Sequence, residues 1–319
     1  MVATREIDLS GTGGRGDRTF RWLVIGAAAL VLVILGLVAV TMTGRMGPVF
    51  DRMGLDFFTS KRWSPADRFF GALPFLWGTL YTALIALVLA VPVSFGVALF
   101  VTQVATPRIR KPMIYVLDML AVVPSVVFGL WGVLVLAGPI QHAYEHIHDA
   151  VDGIPILQSI FGGTPQGRSF MTAGVILAIM ITPIITSLAR EVIETTPPSD
   201  KEAAYALGAT RWEMIGAAVW PHSKAGLVGA TMLGLGRAMG ETIAAALVIG
   251  ASNGQVTLNA FAPGNSMPAV IANEWGEADD LHKSAMIGLA VTLFVITIVV
   301  NLVASAIVQR SMQRGRGKP

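Results

Sequence analysis

The chain has 319 residues, 54% hydrophobic and only 13% charged, with a formal net charge of +3 and no cysteine. Soluble domains carry roughly 25% charged residues, so this chain lacks the polar surface to cover itself in water. The excess of 23 basic over 20 acidic residues is too small to point to a nucleic-acid partner, and the lack of cysteine excludes disulfides, thiolate catalysis and Cys-based metal sites.

With a mean hydropathy of +0.65, the sequence reads as an all-α integral membrane protein. Six windows of about 19 or more apolar residues are long enough to span a bilayer: 22–42, 78–101, 113–138, 171–189, 226–251 and 285–308. The expected organisation is an N-terminal tail over 1–21, one six-span domain over 22–308 and a basic C-terminal tail over 309–319. The first window exceeds the roughly 7–15 residues of a signal h-region, and "TGRMGPVF" after it offers no small-x-small cleavage site. It is therefore expected to stay as an uncleaved helix. Pro92, Pro124 and Pro183 fall inside spans and predict kinks, not breaks, because neighbouring helices re-satisfy the freed backbone groups.

Lysine and arginine sidedness sets the orientation. With the N-terminus cytoplasmic, the inner segments hold fifteen Lys and Arg and the outer loops seven, with Arg237 inside the membrane. Both termini are expected in the cytoplasm. The second outer loop holds His142, His146 and His148 beside Glu145, Asp149 and Asp152. A solvated amphipathic segment explains this spacing; a metal site is conceivable, but no further zinc signature supports it. Asp118, about six residues into the third window, is an intramembrane acid near the inner interface.

The coupling loop, about 190–225, lies between the fourth and fifth windows on the cytoplasmic side. Pro197-Pro198 is expected to stop the preceding helix. Ser199-Asp-Lys-Glu202 and Thr210-Arg-Trp-Glu213 each fit a capping box, in which the hydroxyl and the carboxylate three residues on satisfy free backbone N–H groups. Gly208 is placed as the left-handed residue that ends the first short helix, and Pro221 as the end of the second. Two short helices at a glycine elbow make a knob that a plain connection does not need.

The fifth window holds "GLGRAMGET", residues 234–242. An ionised side chain at the bilayer centre costs about 2.5–3.5 kcal/mol even on lenient scales, and Arg237 falls near the midplane. At i,i+4, Arg237 and Glu241 share a face if the helix is continuous and partly neutralise each other. Gly226, Ala230, Gly234 and Ala238 form one row of small residues, and Gly236, Gly240 and Ala244 another, which lets helices approach closely. A structural ion pair and a substrate contact both fit. Dinucleotide binding does not, because the spacing is G-x-G-x3-G and no strand precedes it. A guanidinium fork suits a tetrahedral oxyanion.

"EAAYALG" followed by Pro221 thirteen residues after Gly208 resembles the EAA signature of bacterial ABC-importer permeases, EAA-x3-G-x9-I-x-LP. Glu202, Ala203, Ala204, Gly208 and Pro221 match, while Ala218 and Trp220 stand where isoleucine and leucine are usual. "WSPADRFFGALPFLWGTLYT", "VVPSVVFGLWG", "GRAMGET" and "MPAVIANEWGEA" are similar to the PstC-type permeases of phosphate-specific importers. The resemblance implies a type I ABC importer permease fold of six transmembrane helices, with Arg237 and Glu241 in the translocation path and the EAA residues coupling to the ATPase. It implies a non-catalytic subunit without cofactor or metal, since ATP and Mg belong to the ATPase dimer (PstB type). The other implied partners are a sister permease (PstA type), an extracytoplasmic phosphate-binding protein (PstS type) and the lipid bilayer of the bacterial inner membrane. No GxxxxGK[ST] motif occurs in the chain, consistent with ATP chemistry on a partner. The alternatives are a permease for another oxyanion or solute, or an ion-coupled secondary transporter, which has no use for an ATPase-docking knob.

Overall fold

The computed structural model describes residues 15–316, with side chains described over 16–306. A long helix α1 (Arg15–Arg45) is followed by α2 (Gly47–Met53), α3 (Asp56–Thr59) and a small antiparallel hairpin of β1 (Trp63–Ser64) and β2 (Phe69–Phe70). Next come α4 (Leu73–Leu99), α5 (Pro107–Val122), α6 (Ser125–Trp131), α7 (Ala137–Ala150) and α8 (Pro155–Phe161). The second half contains α9 (Phe170–Glu194), α10 (Pro198–Ala206), α11 (Arg211–Met214), α12 (Trp220–Gly240), α13 (Ile243–Val248), α14 (Met267–Glu274) and α15 (Asp280–Arg316). Among the described residues, five continuous helical stretches are long and apolar enough to cross a membrane: Gly16–Arg45, Leu73–Val104, Ser125–Ala150, Phe170–Glu194 and Asp280–Ala306. The protein is a multi-pass membrane protein.

The centre of the bundle is the α4–α9 pair, and its packing follows from small residues at helical spacing. Ala83, Ala86 and Ala90 of α4 are buried against Leu177, Ala178, Ile181 and Ile185 of α9, and the Ser94 hydroxyl donates to the Thr182 carbonyl at 3.2 Å. Pro92 and Pro183 sit inside continuous helices, as expected. The small-residue row of α12 packs as predicted too: a Cβ at Gly226 or Gly234 would come within 2.5–2.6 Å of Val192 or Ile185 on α9. The other row splits: Ala244 is buried, while a Cβ at Gly236 or Gly240 would meet nothing within 4 Å.

At one end, the first loop is a compact cap. Val49, Phe57, Trp63, Phe70 and Phe75 are buried with Met267 and Val270 of α14 and Met286 and Leu289 of α15. The loop between α13 and α14 belongs to the same end, where Trp77 Nε1 donates to the Thr257 carbonyl at 2.8 Å and Tyr81 Oη to that of Leu258 at 2.5 Å. The knob of α10 and α11 lies at the opposite end, against Ala98, Ala189, Ile193 and Leu227.

Two expectations about span continuity are corrected. Pro124 breaks the third window instead of kinking it: α5 ends at Val122, Val123 and Pro124 are extended, and α6 begins at Ser125. The proline ring pushes residue 123 to the extended region, so α5 stops just before it. The fifth window is broken as well, between α12 and α13.

Candidate functional site

The second break places the charged residues. α12 ends at Gly240, and Glu241 leaves the helix with φ −70° and ψ 126°. The Glu241 Oε1 atom accepts the Ala244 amide of α13 at 3.2 Å, while the Thr242 hydroxyl donates to the Gly240 carbonyl at 3.3 Å. A carboxylate at a helix N-terminus satisfies a free donor and meets the positive end of the helix dipole. The predicted i,i+4 face is therefore absent, and among the described residues no salt bridge joins Arg237 to Glu241. Arg237 is exposed on α12, within a turn of the open Gly236 and Gly240.

The cause of the break is tertiary. α13 lies against α6, where a Cβ on Gly129 would sit 2.8 Å from a Leu247 methyl and 2.9 Å from the Ala244 Cα. A Cβ on Gly132 would sit 2.8 Å from Val248. α13 follows that close approach rather than the axis of α12. Beside the break, a groove of about 490 Å³ runs between Gly236, Gly240 and Thr242 on one side and residues of α14 and α15 on the other.

The knob forms in part as predicted. Gly208 has φ 82°, its amide donates to the Tyr205 carbonyl at 2.9 Å, and the Ala209 amide to that of Ala204 at 3.1 Å. That paired pattern is a Schellman motif, which caps the last carbonyls of α10. The Thr210–Glu213 capping box is reciprocal: the Thr210 hydroxyl accepts the Glu213 amide at 3.4 Å, and Glu213 Oε2 accepts the Thr210 amide at 2.7 Å. The Thr210 hydroxyl also donates to Glu213 Oε2 at 2.8 Å, and the bonds that the carboxylate accepts from the Thr210 backbone and hydroxyl hold the Glu213 carboxyl below its ordinary value.

The Ser199–Glu202 capping box does not form. Pro197 is the cap residue of α10, Pro198 is in the first turn, and no side chain caps this end. Ser199 is already inside the helix and donates to Asp200 at 3.4 Å. Glu202 is two residues beyond the N3 position, and it is exposed with Ala203, while Ala204 packs on the knob core. Pro221 does not end the second knob helix either. α11 runs through a π turn, Ile215–Val219, directly into α12. The wider turn absorbs the missing N–H of the proline, so knob and Arg237 sit on one continuous helix. The exposed Leu207 and Trp212, at 89% and 71%, crown the knob.

The other candidates lie apart. Asp118 is exposed on α5. His142 contacts Glu145 at 3.2 Å on α7, and among the described residues no group of three or more His, Asp or Glu is placed to hold a metal.

Comparison with known proteins decides the class. A family model described as "Binding-protein-dependent transport system inner membrane component" matches residues 90–313. The chain belongs to this family. It is 40% identical over 298 residues to the "Phosphate transport system permease protein PstC" of Xylella fastidiosa, covering 93% of this chain and 91% of that one. It is 41% identical over 292 residues to the protein of the same name from Haemophilus influenzae, covering 91% and 92%. The fold is similar to a chain of a bacterial alginate ABC transporter solved with an alginate pentasaccharide-bound periplasmic protein, with TM-score 0.59 at 17% identity, covering 93% and 97%. The protein is thus an ABC-importer permease, a non-catalytic membrane component, and the secondary-transporter alternative is set aside.

Sequence reading missed Gly129 and Gly132, whose signal was present in "VVPSVVFGLWG" but as packing, not chemistry. It also missed Glu274, which "IANEWGEA" contains and whose partners lie far away in the chain.

Proposed function

We propose that this permease imports inorganic phosphate. The single observation that carries the reading is its identity of about 40% over nine-tenths of the chain with two permeases named for phosphate transport. In this reading the chain crosses the bacterial inner membrane six times, the broken pair α12–α13 supplying the crossing between α9 and α15. Both termini and the knob are cytoplasmic, and the cap faces outward. The knob docks on one subunit of an ATPase dimer, which binds ATP and Mg. A sister permease covers the open Gly236–Gly240 face and completes the path, and an extracytoplasmic phosphate-binding protein delivers the anion to the cap.

Arg237 is the substrate contact. Among the described residues no carboxylate pairs with this cation near the helix break, and its fork matches two oxygens of a tetrahedral anion. Glu241, held in the cap of α13, lies beside the same path and repels an anion that Arg237 has not neutralised. The exposed Glu202 and Ala203, with Leu207 and Trp212, face the ATPase. Ala204 and Gly208 shape the knob, and Pro221 joins it to α12.

The test is radiolabelled phosphate uptake by the assembled importer carrying Arg237→Lys, with sulfate as competitor. Lysine keeps the charge and loses the fork, so uptake should fall by at least about tenfold, the size of one charge-assisted hydrogen bond, with normal amounts of complex. Wild-type uptake, or competition by sulfate as strong as by phosphate, would remove Arg237 or phosphate from the assignment.

A further inference from the structure

Outside the path, the Glu274 carboxylate at the end of α14 meets three side chains. Its Oε2 atom accepts Trp63 Nε1 of the first loop at 2.9 Å and lies 2.9 Å from Nε2 of His282 on α15. Its Oε1 atom accepts the Asn253 amide at 3.3 Å, and Asn253 in turn accepts from Asn265 at 2.9 Å. One carboxylate thus ties α14 to three other segments. The His282 ring is fixed around it, stacked on Phe70 at 5.2 Å and edge-on to Trp63 at 5.6 Å.

This arrangement is a poor way to build a strut. The cap already has a continuous apolar core, and placing a carboxylate against it carries a desolvation cost that an apolar residue would not. Side-chain exposure is 8% for His282 but 24% for Glu274, so water reaches the node. The node joins the two helices, α14 and α15, that wall the groove beside the helix break. Ile271 and Ala272 of α14 face Gly240 and Thr242 across it, and Leu293 and Thr297 of α15 complete the wall. The Glu274–His282 contact joins the end of one wall to the start of the other.

We propose that Glu274 is a positioning residue for transport, setting the outer width of the groove by fixing α14 against α15. The role of the groove rests on the phosphate-path reading above, but the placement of α14 does not, and the two fail separately. Because the chain has no cysteine, Thr297→Cys is a single reporter inside the groove. In the assembled importer, its reaction with a small membrane-impermeant thiol reagent added from outside is compared with and without Glu274→Ala. Loss of all three bonds to the carboxylate should raise the rate by more than about tenfold, the size of one charge-assisted hydrogen bond. Uptake should change in KM or maximal rate while the amount of complex does not.

Glu274→Gln keeps one acceptor oxygen and should fall between wild type and alanine. Asn253→Ala removes one arm of the node from an exposed loop position and tests the idea without touching the core. It should raise the labelling rate by a smaller factor. Arg237→Lys should leave labelling unchanged even when uptake is lost. Normal labelling and uptake in Glu274→Ala overturn the proposal. So does loss of assembly in both Glu274→Ala and Asn253→Ala with no change in labelling of the residual complex, since that outcome makes Glu274 a strut.

Discussion

The Ala244 amide donates to the Glu241 carboxylate at 3.2 Å, and this bond stands where an Arg237–Glu241 ion pair would stand in a continuous helix. The two charges are neighbours in sequence with different duties. Glu241 closes the start of α13, and Arg237 is left on the exposed side of α12.

A charge swap separates these duties. In Arg237→Glu/Glu241→Arg the new arginine cannot cap α13, and the path loses its cation where the fork is needed. Uptake should stay at background even if complex forms. Restored assembly together with restored uptake would show that the two side chains act only as a pair. Glu241→Gln, which keeps an acceptor oxygen, should assemble normally, whereas Glu241→Ala should lose about 1 kcal/mol of local stability, read as a lower melting temperature of the purified complex.

Gly208 isolates backbone strain from crowding. Its φ is 82°, yet a Cβ there would meet nothing within 4 Å. Gly208→Val should therefore cost about 1–2 kcal/mol through the left-handed conformation alone, distorting the elbow while the protein still reaches the membrane. Co-purification with the ATPase should drop, and Gly208→Asn should retain more of it than valine does. Equal co-purification of all three would contradict the elbow.

Glu202 has no cap to serve, so its contribution is charge on an exposed surface. Glu202→Gln and Glu202→Ala should impair ATPase docking to a similar degree, with unchanged protein levels. A glutamine variant that docks as well as wild type, beside an alanine variant that fails, would restore the capping role.

Glu213 gives the knob a pH dependence whose sign is fixed. Its carboxyl is held below the ordinary value of 4.5 by bonds from Thr210, so the charged form is the one that favours the fold. The contribution is complete above the unfolded value and is lost as pH falls through the lowered folded value. Hydrogen exchange of the amides around 210–214, corrected for intrinsic rate, should show protection at neutral pH that fades in the acid range. Glu213→Gln should abolish that pH dependence, while Thr210→Val should lower protection at every pH.

Gly129 tests the origin of the helix break. A Cβ there would press on the Ala244 backbone at 2.9 Å, which cannot move aside as a side-chain tip can. Gly129→Ala should destabilise by about 1–3 kcal/mol and lower uptake by displacing α13. Unchanged thermal stability would mean that α13 is not held by α6.

By itself the sequence determined what depends on neighbours along the chain. Apolar length placed the windows of α1, α4, α9 and α15, since a bilayer accepts only segments that satisfy their own backbone. Gly208 and the Thr210–Glu213 box were equally legible, because a Schellman turn and a capping box close within a few residues. The Ser199–Glu202 box was misread for a local reason: Pro197 and Pro198 took the cap and first-turn positions, where a missing N–H is harmless. What only the tertiary structure decided needed distant partners. The break at Gly240–Glu241 exists because Gly129 and Gly132 admit α13 against α6, and Glu274 has a role because Trp63, 211 residues away, comes to lie beside it. A spacing rule sees charges four residues apart on a helix; it cannot see that packing against another helix has ended that helix between them.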